Sequence, residues 1–360
     1  MKKKIIVFNP SIEEGGVEKN LYIISNYLIK KNIEVNILTC SKNKKKFFNK
    51  SVKFISPNSD FWSFRGRLIK YIVCTFILFL NLIKNKSNII IFSFQANIIA
   101  IVLSKIFKTR IIVRANSAPS GWSKNYLKRM VYSFLINLAD SIIVNSYEFK
   151  KDFKKLFNVS TQCIYNPFDK KNLNFKNKKK AKDNFIKIIS IGRLTKQKDH
   201  ITLLKAARLI KPDLKIQILI VGKGSEYKNL INYIERFNLK SKIKLLGYKH
   251  KPYSYILNSD IFVLTSRYEG LPNVLLEAQY LKKYIISSNC PTGPKEILLN
   301  GKAGDLFEVG NYKKLASIIN NYPHNKKKIL NKINYGFKNF YRFDYFKNCE
   351  KYYDIILKNF

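Results

Sequence analysis

The sequence predicts an α/β protein made of two doubly wound, parallel-sheet domains. Short apolar runs such as Lys3–Phe8, Asn88–Phe92 and Tyr284–Ser287 lack polar alternation, so both faces of each strand must be buried, as in parallel sheets. Longer helical stretches separate these runs, which is the βα rhythm of a doubly wound sheet. The rhythm stops once, in a Lys/Asn-rich segment, and then restarts. A length of 360 residues suits two or three domains at about 100–200 residues each.

In order, Lys3–Phe8 reads as a strand, Val17–Lys31 as a helix, and Ile33–Leu38 and Val52–Ile55 as strands. Phe64–Lys84 is helical, Asn88–Phe92 a strand, Gln95–Phe107 a helix and Arg110–Arg114 a strand. Ser123–Ala139 is a helix and Ser141–Val144 a strand, completing a first domain over 1–166. Residues 167–184 are dense in Lys and Asn without periodicity and read as a linker. The second domain, 185–340, has strands at Phe185–Ile191, Lys215–Val221, Ile243–Leu246, Ile261–Leu264 and Tyr284–Ser287. Between them lie helices at Ile201–Ile210, Glu226–Phe237 and Asn273–Leu281, followed by Tyr312–Asn320. Residues 341–360 form a C-terminal helix expected to return to the first domain.

Hydrophobic residues at 46% and charged residues at 25% are those of a folded globular chain. They exclude a disordered tail, a collagen and a small disulfide scaffold. The balance of 67 Lys+Arg against 23 Asp+Glu leaves a net charge of +44. An AT-rich coding bias accounts for Lys in place of Arg better than for the shortage of acids. The remaining excess favours phosphate-bearing partners, nucleic acid or anionic lipid. Five scattered cysteines without C-x-x-C spacing argue for reduced thiols, and three histidines without H-x-x-x-H spacing argue against a histidine-held metal.

The N-terminus runs from Met1-Lys2-Lys3-Lys4 straight into a strand, so no signal peptide is expected. The longest apolar stretch, Tyr71–Ile83, falls short of the ~20 residues that span a bilayer. Its plainer reading is a buried helix; the other is a helix lying partly in a membrane surface.

Three loops carry chemistry. Gly15-Gly16-Val17-Glu18 opens the first helix, and its glycines let backbone N–H groups approach an anion. It is not the G-x-G-x-x-G dinucleotide fingerprint. Gly192-Arg193-Leu194-Thr195-Lys196-Gln197-Lys198 follows a strand, and Arg193 with Lys198 suits a diphosphate. The third loop, Thr265 to Ala278, is the strongest feature. Glu269 and Glu277 have seven residues between them, and Pro272 sets a helix start near Asn273. Phosphate oxygens can bind the N–H groups there, and Glu277 can accept from vicinal ribose hydroxyls. Two glutamates in so apolar a segment of an acid-poor chain point to function.

In these motifs the chain resembles the retaining glycosyltransferases of family 4, which have the GT-B fold: two Rossmann-like domains facing an interdomain cleft. The resemblance rests on Glu269…Glu277, Gly192-Arg193…Lys198, Gly15-Gly16-Val17-Glu18, Asn145-Ser146, Asn166-Pro167 and Gly222-Lys223-Gly224, in that family's order. It implies a UDP-sugar donor held mainly by the second domain. Arg193 and Lys198 would hold the diphosphate and Glu277 the ribose. Glu269, with Gly270, Leu271, Pro272 and Asn273, would meet the donor sugar and phosphate. Tyr248 would lie near the base, and Gly16 would close on the diphosphate. Many relatives carry a His where this chain has Asn116, whose amide would hydrogen-bond the donor sugar. No cofactor and no metal are expected, and the chain has no D-x-D sequence.

The resemblance further implies transfer of a hexose or N-acetylhexosamine to a glycan, lipid-linked on a polyprenyl diphosphate, in surface-polysaccharide synthesis. The enzyme would be cytoplasmic and peripheral on the inner face of the membrane. Basic runs with interleaved aromatics (Phe47, Phe48, Phe61, Trp62, Phe64, Trp122, Tyr126) suit an anionic membrane surface. Gly293-Pro294-Lys295-Glu296 reads as a turn and helix start. Two other classes compete with this reading. A sugar-nucleotide epimerase needs acid/base residues in the cleft, where the family His is missing. A nucleic-acid binder finds no recognition motif, so no nucleic-acid partner is expected.

Overall fold

The computed structural model describes residues 3–13, 15–84, 89–116, 125–173 and 185–360. The chain divides into two compact units, one of residues 1–167 with 343–360, the other of 168–342. Of the expected linker, 174–184 lie outside the described residues, as do Trp122 and Lys124; residues 170–173 form a single 3₁₀ turn counted with the second unit.

The first unit runs β1 (Lys4–Phe8), α1 (Gly16–Lys30), β2 (Glu34–Leu38), β3 (Lys53–Ile55), α2 (Arg67–Lys84) and β4 (Ile89–Ser93). It continues through α3 (Asn97–Ile106), β5 (Arg110–Arg114), α4 (Tyr126–Asn137), β6 (Ser141–Val144), α5 (Tyr147–Phe157) and β7 (Gln162–Cys163). The strands order as β3-β2-β1-β4-β5-β6-β7, all parallel. Alternation along β1 explains why its run is unbroken: Ile6 and Phe8 enter one core with Leu78, Phe149 and Phe153, while Ile5 and Val7 enter another with Leu21, Ile24 and Tyr352. Ser146 caps α5 by accepting from the Phe149 N–H at 3.1 Å.

The second unit runs β8 (Ile186–Ile191), α6 (His200–Ala207), β9 (Ile216–Val221), α7 (Tyr227–Arg236), β10 (Ile243–Leu245), α8 (Tyr253–Leu257) and β11 (Ile261–Leu264). It ends with α9 (Asn273–Tyr280), β12 (Tyr284–Ser288), α10 (Pro294–Ile297), β13 (Asp305–Phe307), α11 (Tyr312–Asn320) and α12 (Lys326–Lys338). Its parallel order is β10-β9-β8-β11-β12-β13. The final helix, α13 (Tyr345–Lys358), belongs to the first unit.

In each sheet the chain reverses its direction of winding once, at β1/β4 and at β8/β11. Loops leaving the carboxyl ends on either side of such a point form the usual ligand crevice of these sheets. Those loops are Gly15-Gly16 after β1 and residues 94–96 after β4 in the first unit, and Gly192–Asp199 after β8 and Thr265–Pro272 after β11 in the second.

Three expectations change. The helix expected from Phe64 begins at Arg67, after a 3₁₀ turn at Asp60–Phe64. Helix α2 is not a buried helix: only Lys70, Cys74, Leu78 and Leu82 are buried, a stripe four residues apart. Phe48 and Trp62 turn inward, Phe48 against Tyr22 and Phe54 and Trp62 against the core, and so leave the expected aromatic face. Each of the five cysteines is a free thiol.

Candidate active site

The loops after β8 and β9 nest backbone to backbone. Gly192 N–H donates to Val221 O at 3.0 Å and Leu194 N–H to Lys223 O at 2.9 Å. A Cβ on Gly222 would lie 1.8 Å from Gly192 O, and one on Gly224 2.2 Å from Leu194 O. Glycine at both positions is therefore a packing requirement. It fixes where the Arg193–Lys198 loop sits.

That loop is laced to the loop after β11. Arg267 N–H donates to Gln197 O at 2.8 Å, the Gln197 amide to Tyr268 O at 2.9 Å, and the Thr265 hydroxyl to Lys198 O at 2.9 Å. Across this seam Lys198 Nζ meets Glu269 Oε1 at 2.5 Å, and the Ser266 hydroxyl donates to the same oxygen at 2.5 Å. The Lys198 and Glu269 side chains retain only 14% and 8% of their exposure. Arg193 on the same loop is exposed, with Nη2 3.5 Å from Gln197 Oε1.

The backbone of Glu269 is held from behind. Its N–H donates to Pro291 O at 2.7 Å, and the Thr292 hydroxyl donates to Glu269 O at 3.2 Å and Gly270 O at 3.3 Å. Gly293 adopts φ +87°, where a Cβ would also lie 2.0 Å from Gly270 O. The turn expected at Gly293-Pro294 thus buttresses the glutamate loop. Gly270, Leu271 and Pro272 lead into α9; Pro272 is its cap and offers no side-chain acceptor, and the helix begins at Asn273. Such an end presents backbone N–H groups suited to an anion. Glu277, one turn inside α9, is 5% exposed. Tyr248 follows Gly247 (φ +67°) beyond β10, and Lys223 Nζ lies 5.0 Å from its ring centroid.

His200 begins α6, buried, with Nδ1 3.3 Å from the Ser190 hydroxyl; burial and the Lys198 charge lower its pKa to about 4. It is a neutral core residue. Cys290 is buried too, and burial followed by the Glu269 charge pushes its thiol up to about 12.

In the first unit Gly16 opens α1 behind Gly15. Glu18 Oε1 accepts from Glu13 N–H at 3.3 Å, and a Cβ on Gly15 would lie 2.9 Å from its Oε2. Burial raises the Glu18 pKa to about 7. Asn116, beyond β5, is engaged by the protein: its amide donates to Phe94 O at 2.7 Å and its oxygen accepts from the Arg114 guanidinium. Arg114 is 1% exposed and also donates to Tyr352 Oη at 2.9 Å and Asn166 Oδ1 at 2.7 Å. Sequence reasoning did not assign Ser266, Thr292 or Arg114. Ser266 lies inside the Glu269 motif; the other two carry no local signal, because their partners are distant in the chain.

The second unit thus brings Arg193, Lys198, Glu269 and the α9 N-terminus to the carboxyl ends of β8 and β11, with Glu277 one turn inside α9. Cations and helix amides there suit a diphosphate, and carboxylates beside them suit sugar hydroxyls.

Two family models match the chain in tandem, Glycosyltransferase Family 4 over residues 14–172 and Glycosyl transferases group 1 over residues 170–339. The N-acetylgalactosamine-N,N'-diacetylbacillosaminyl-diphospho-undecaprenol 4-alpha-N-acetylgalactosaminyltransferase of Campylobacter jejuni is 33% identical over 233 residues, covering 61% of this chain and 62% of that protein. The chain therefore spans less than two thirds of that relative's length. The amylovoran biosynthesis glycosyltransferase AmsD of Erwinia amylovora is 27% identical over 306 residues, 83% of this chain and 84% of AmsD. The crystal structure of Anabaena HepE in complex with UDP and glucose shares the fold, with a TM-score of 0.83 at 19% identity over 99% of this chain and 100% of that one. With one family model on each unit and the same architecture along its length, the chain belongs to the family 4 type of glycosyltransferases, with the GT-B fold.

Proposed function

We propose that the protein transfers a hexose or N-acetylhexosamine, with retention, from a UDP-sugar to a lipid-linked glycan in bacterial surface-polysaccharide synthesis. The observation that carries this reading is the buried Lys198–Glu269 pair at the carboxyl ends of β8 and β11, with Glu269 in the loop that leads into the N-terminus of α9. Arg193 and Lys198 neutralise the donor diphosphate, and the α9 amides add fixed dipoles. Charge developing on the departing UDP meets these groups, so the reaction needs no divalent metal. Glu277 accepts from the ribose hydroxyls, and Glu269 orients Lys198 and the donor sugar. The departing phosphate itself helps deprotonate the acceptor hydroxyl on the same face of the sugar. The Campylobacter jejuni relative, named for a diphospho-undecaprenol acceptor, supports the acceptor class. The Anabaena structure, which contains UDP, supports the donor class.

Calorimetric titration with UDP tests the donor site. Wild type binds in the presence of EDTA, and Arg193→Ala weakens binding about tenfold, the loss of one charge-assisted contact. Absence of UDP binding, or transfer that stops with EDTA, would overturn the reading. The anomeric configuration of the product, read by NMR, checks retention.

A further inference from the structure

We propose that the first unit docks on an anionic lipid bilayer through one continuous face formed by α2, α3 and α4. On α2, the side opposite the buried stripe exposes Leu68 (72%), Ile72 (62%) and Phe76 (60%). On α4, Leu127 (70%) and Phe134 (68%) are equally bare, and Ile106 (65%) ends the exposed row of α3. Helix α3 packs against both α2 and α4, so the three rows adjoin. A soluble surface rarely presents so much contiguous aliphatic and aromatic area without a partner.

The charge around this face selects the partner. Residues 61–84, 97–114 and 125–139 contain no Asp or Glu at all. Exposed cations border the apolar rows: Arg65, Lys84, Lys108, Arg110 and Lys128. Asp60, Glu13 on Arg67 and Asp140 on Lys105 are the acids nearest these helices, so the rim is predominantly cationic. An apolar centre with such a rim matches the acyl boundary and headgroups of an anionic membrane, where each basic residue near the surface adds attraction. A face of this kind lies on the interface and does not cross it. Among the described residues no helix is long and apolar enough to cross a membrane. The link to catalysis rests on the lipid-linked acceptor proposed above, since such an acceptor is presented at that surface. The docking itself rests only on this face.

The test is flotation with vesicles of phosphatidylcholine alone and with about one third phosphatidylglycerol, on the full chain. Wild type is expected to float with the anionic vesicles, at least about tenfold more tightly than with the neutral ones, and to be released by high salt. Ile72→Glu with Phe76→Glu removes flotation, and so does Lys108→Glu with Lys128→Glu. These positions are exposed, so UDP titration should be unchanged in both variants. Binding that ignores lipid charge, or that survives both variants, overturns the proposal. So does a dimer in sedimentation that Phe76→Glu dissociates, which would make the face an interface between copies. Flotation without UDP binding would sink the donor reading and leave this one standing; UDP binding without flotation would do the reverse.

Discussion

Glu269 Oε1 receives two donors at 2.5 Å, the Lys198 ammonium and the Ser266 hydroxyl, in a site that leaves both charged side chains largely out of water. A charge pair so placed is held by its own mutual compensation. Removing one partner leaves the other buried and unpaired. In the proposed reaction the same groups would meet a donor's phosphate and sugar, which would couple stability to transfer.

Single Lys198→Ala and Glu269→Ala variants should therefore each lose roughly 3–5 kcal/mol of stability as well as transfer. The pair Lys198→Met with Glu269→Gln should recover most of the stability and none of the activity. Glu269→Gln alone should lower kcat by about a hundredfold or more while changing UDP affinity little. Urea unfolding and single-turnover kinetics on the four proteins separate the two effects. Additive stability losses would show that the pair does not act as a unit.

The glycines at 222 and 293 should be irreplaceable for different reasons. Gly222→Ala drives a Cβ to 1.8 Å from Gly192 O, and Gly293→Ala adds a left-handed backbone to a 2.0 Å clash with Gly270 O. Each should cost at least about 1–3 kcal/mol, since rigid backbone must move. Gly222→Ala displaces the Arg193 loop and Gly293→Ala the Glu269 loop, so UDP affinity should fall in both. Thermal melts and UDP titration measure these losses. Wild-type values in either variant would remove the buttressing role.

Two buried groups should tilt stability with pH in opposite directions. Glu18, raised from 4.5 to about 7, is protonated in the fold when the unfolded chain is already ionised; its contribution is full below about 4.5 and lost as pH rises to about 7. His200, lowered from 6.5 to about 4, stays neutral when the unfolded chain is protonated; its contribution is lost as pH falls from about 6.5 to 4. Each is worth roughly 3 kcal/mol across its window. Glu18→Gln should abolish the alkaline loss in the first unit, and His200→Gln the acid loss in the second. Hydrogen exchange at β1 and β8 amides, followed from pH 4 to 8, distinguishes the two units. Parallel pH curves for wild type and variants would refute both assignments.

The doubly wound sheets were legible because burying a strand on both faces demands unbroken apolar runs, as in Lys3–Phe8 and Tyr284–Ser287. The position of the candidate-site loops was legible because glycine, proline and paired glutamates mark strand-to-helix turns at fixed spacing. Less of the site's support could be read. Thr292 is unremarkable until the β12 loop is folded against Glu269. Asn116 is open to any partner until the Arg114 guanidinium and the Phe94 carbonyl engage it. Tyr71–Ile83 announces an apolar helix, but not which side is covered; Cys74, Leu78 and Leu82 are buried in the core and Val73 and Ile77 pack against it.

By itself, then, the sequence determined the layering, the points where the winding reverses and the residue types at the strand ends, because these follow from local periodicity and turn chemistry. Tertiary structure alone decided that Lys198 pairs with Glu269, that Gly222 and Gly293 set the loop positions, and that α2, α3 and α4 pool their bare faces. Those outcomes depend on distances between segments far apart in the chain, which only packing in three dimensions can fix.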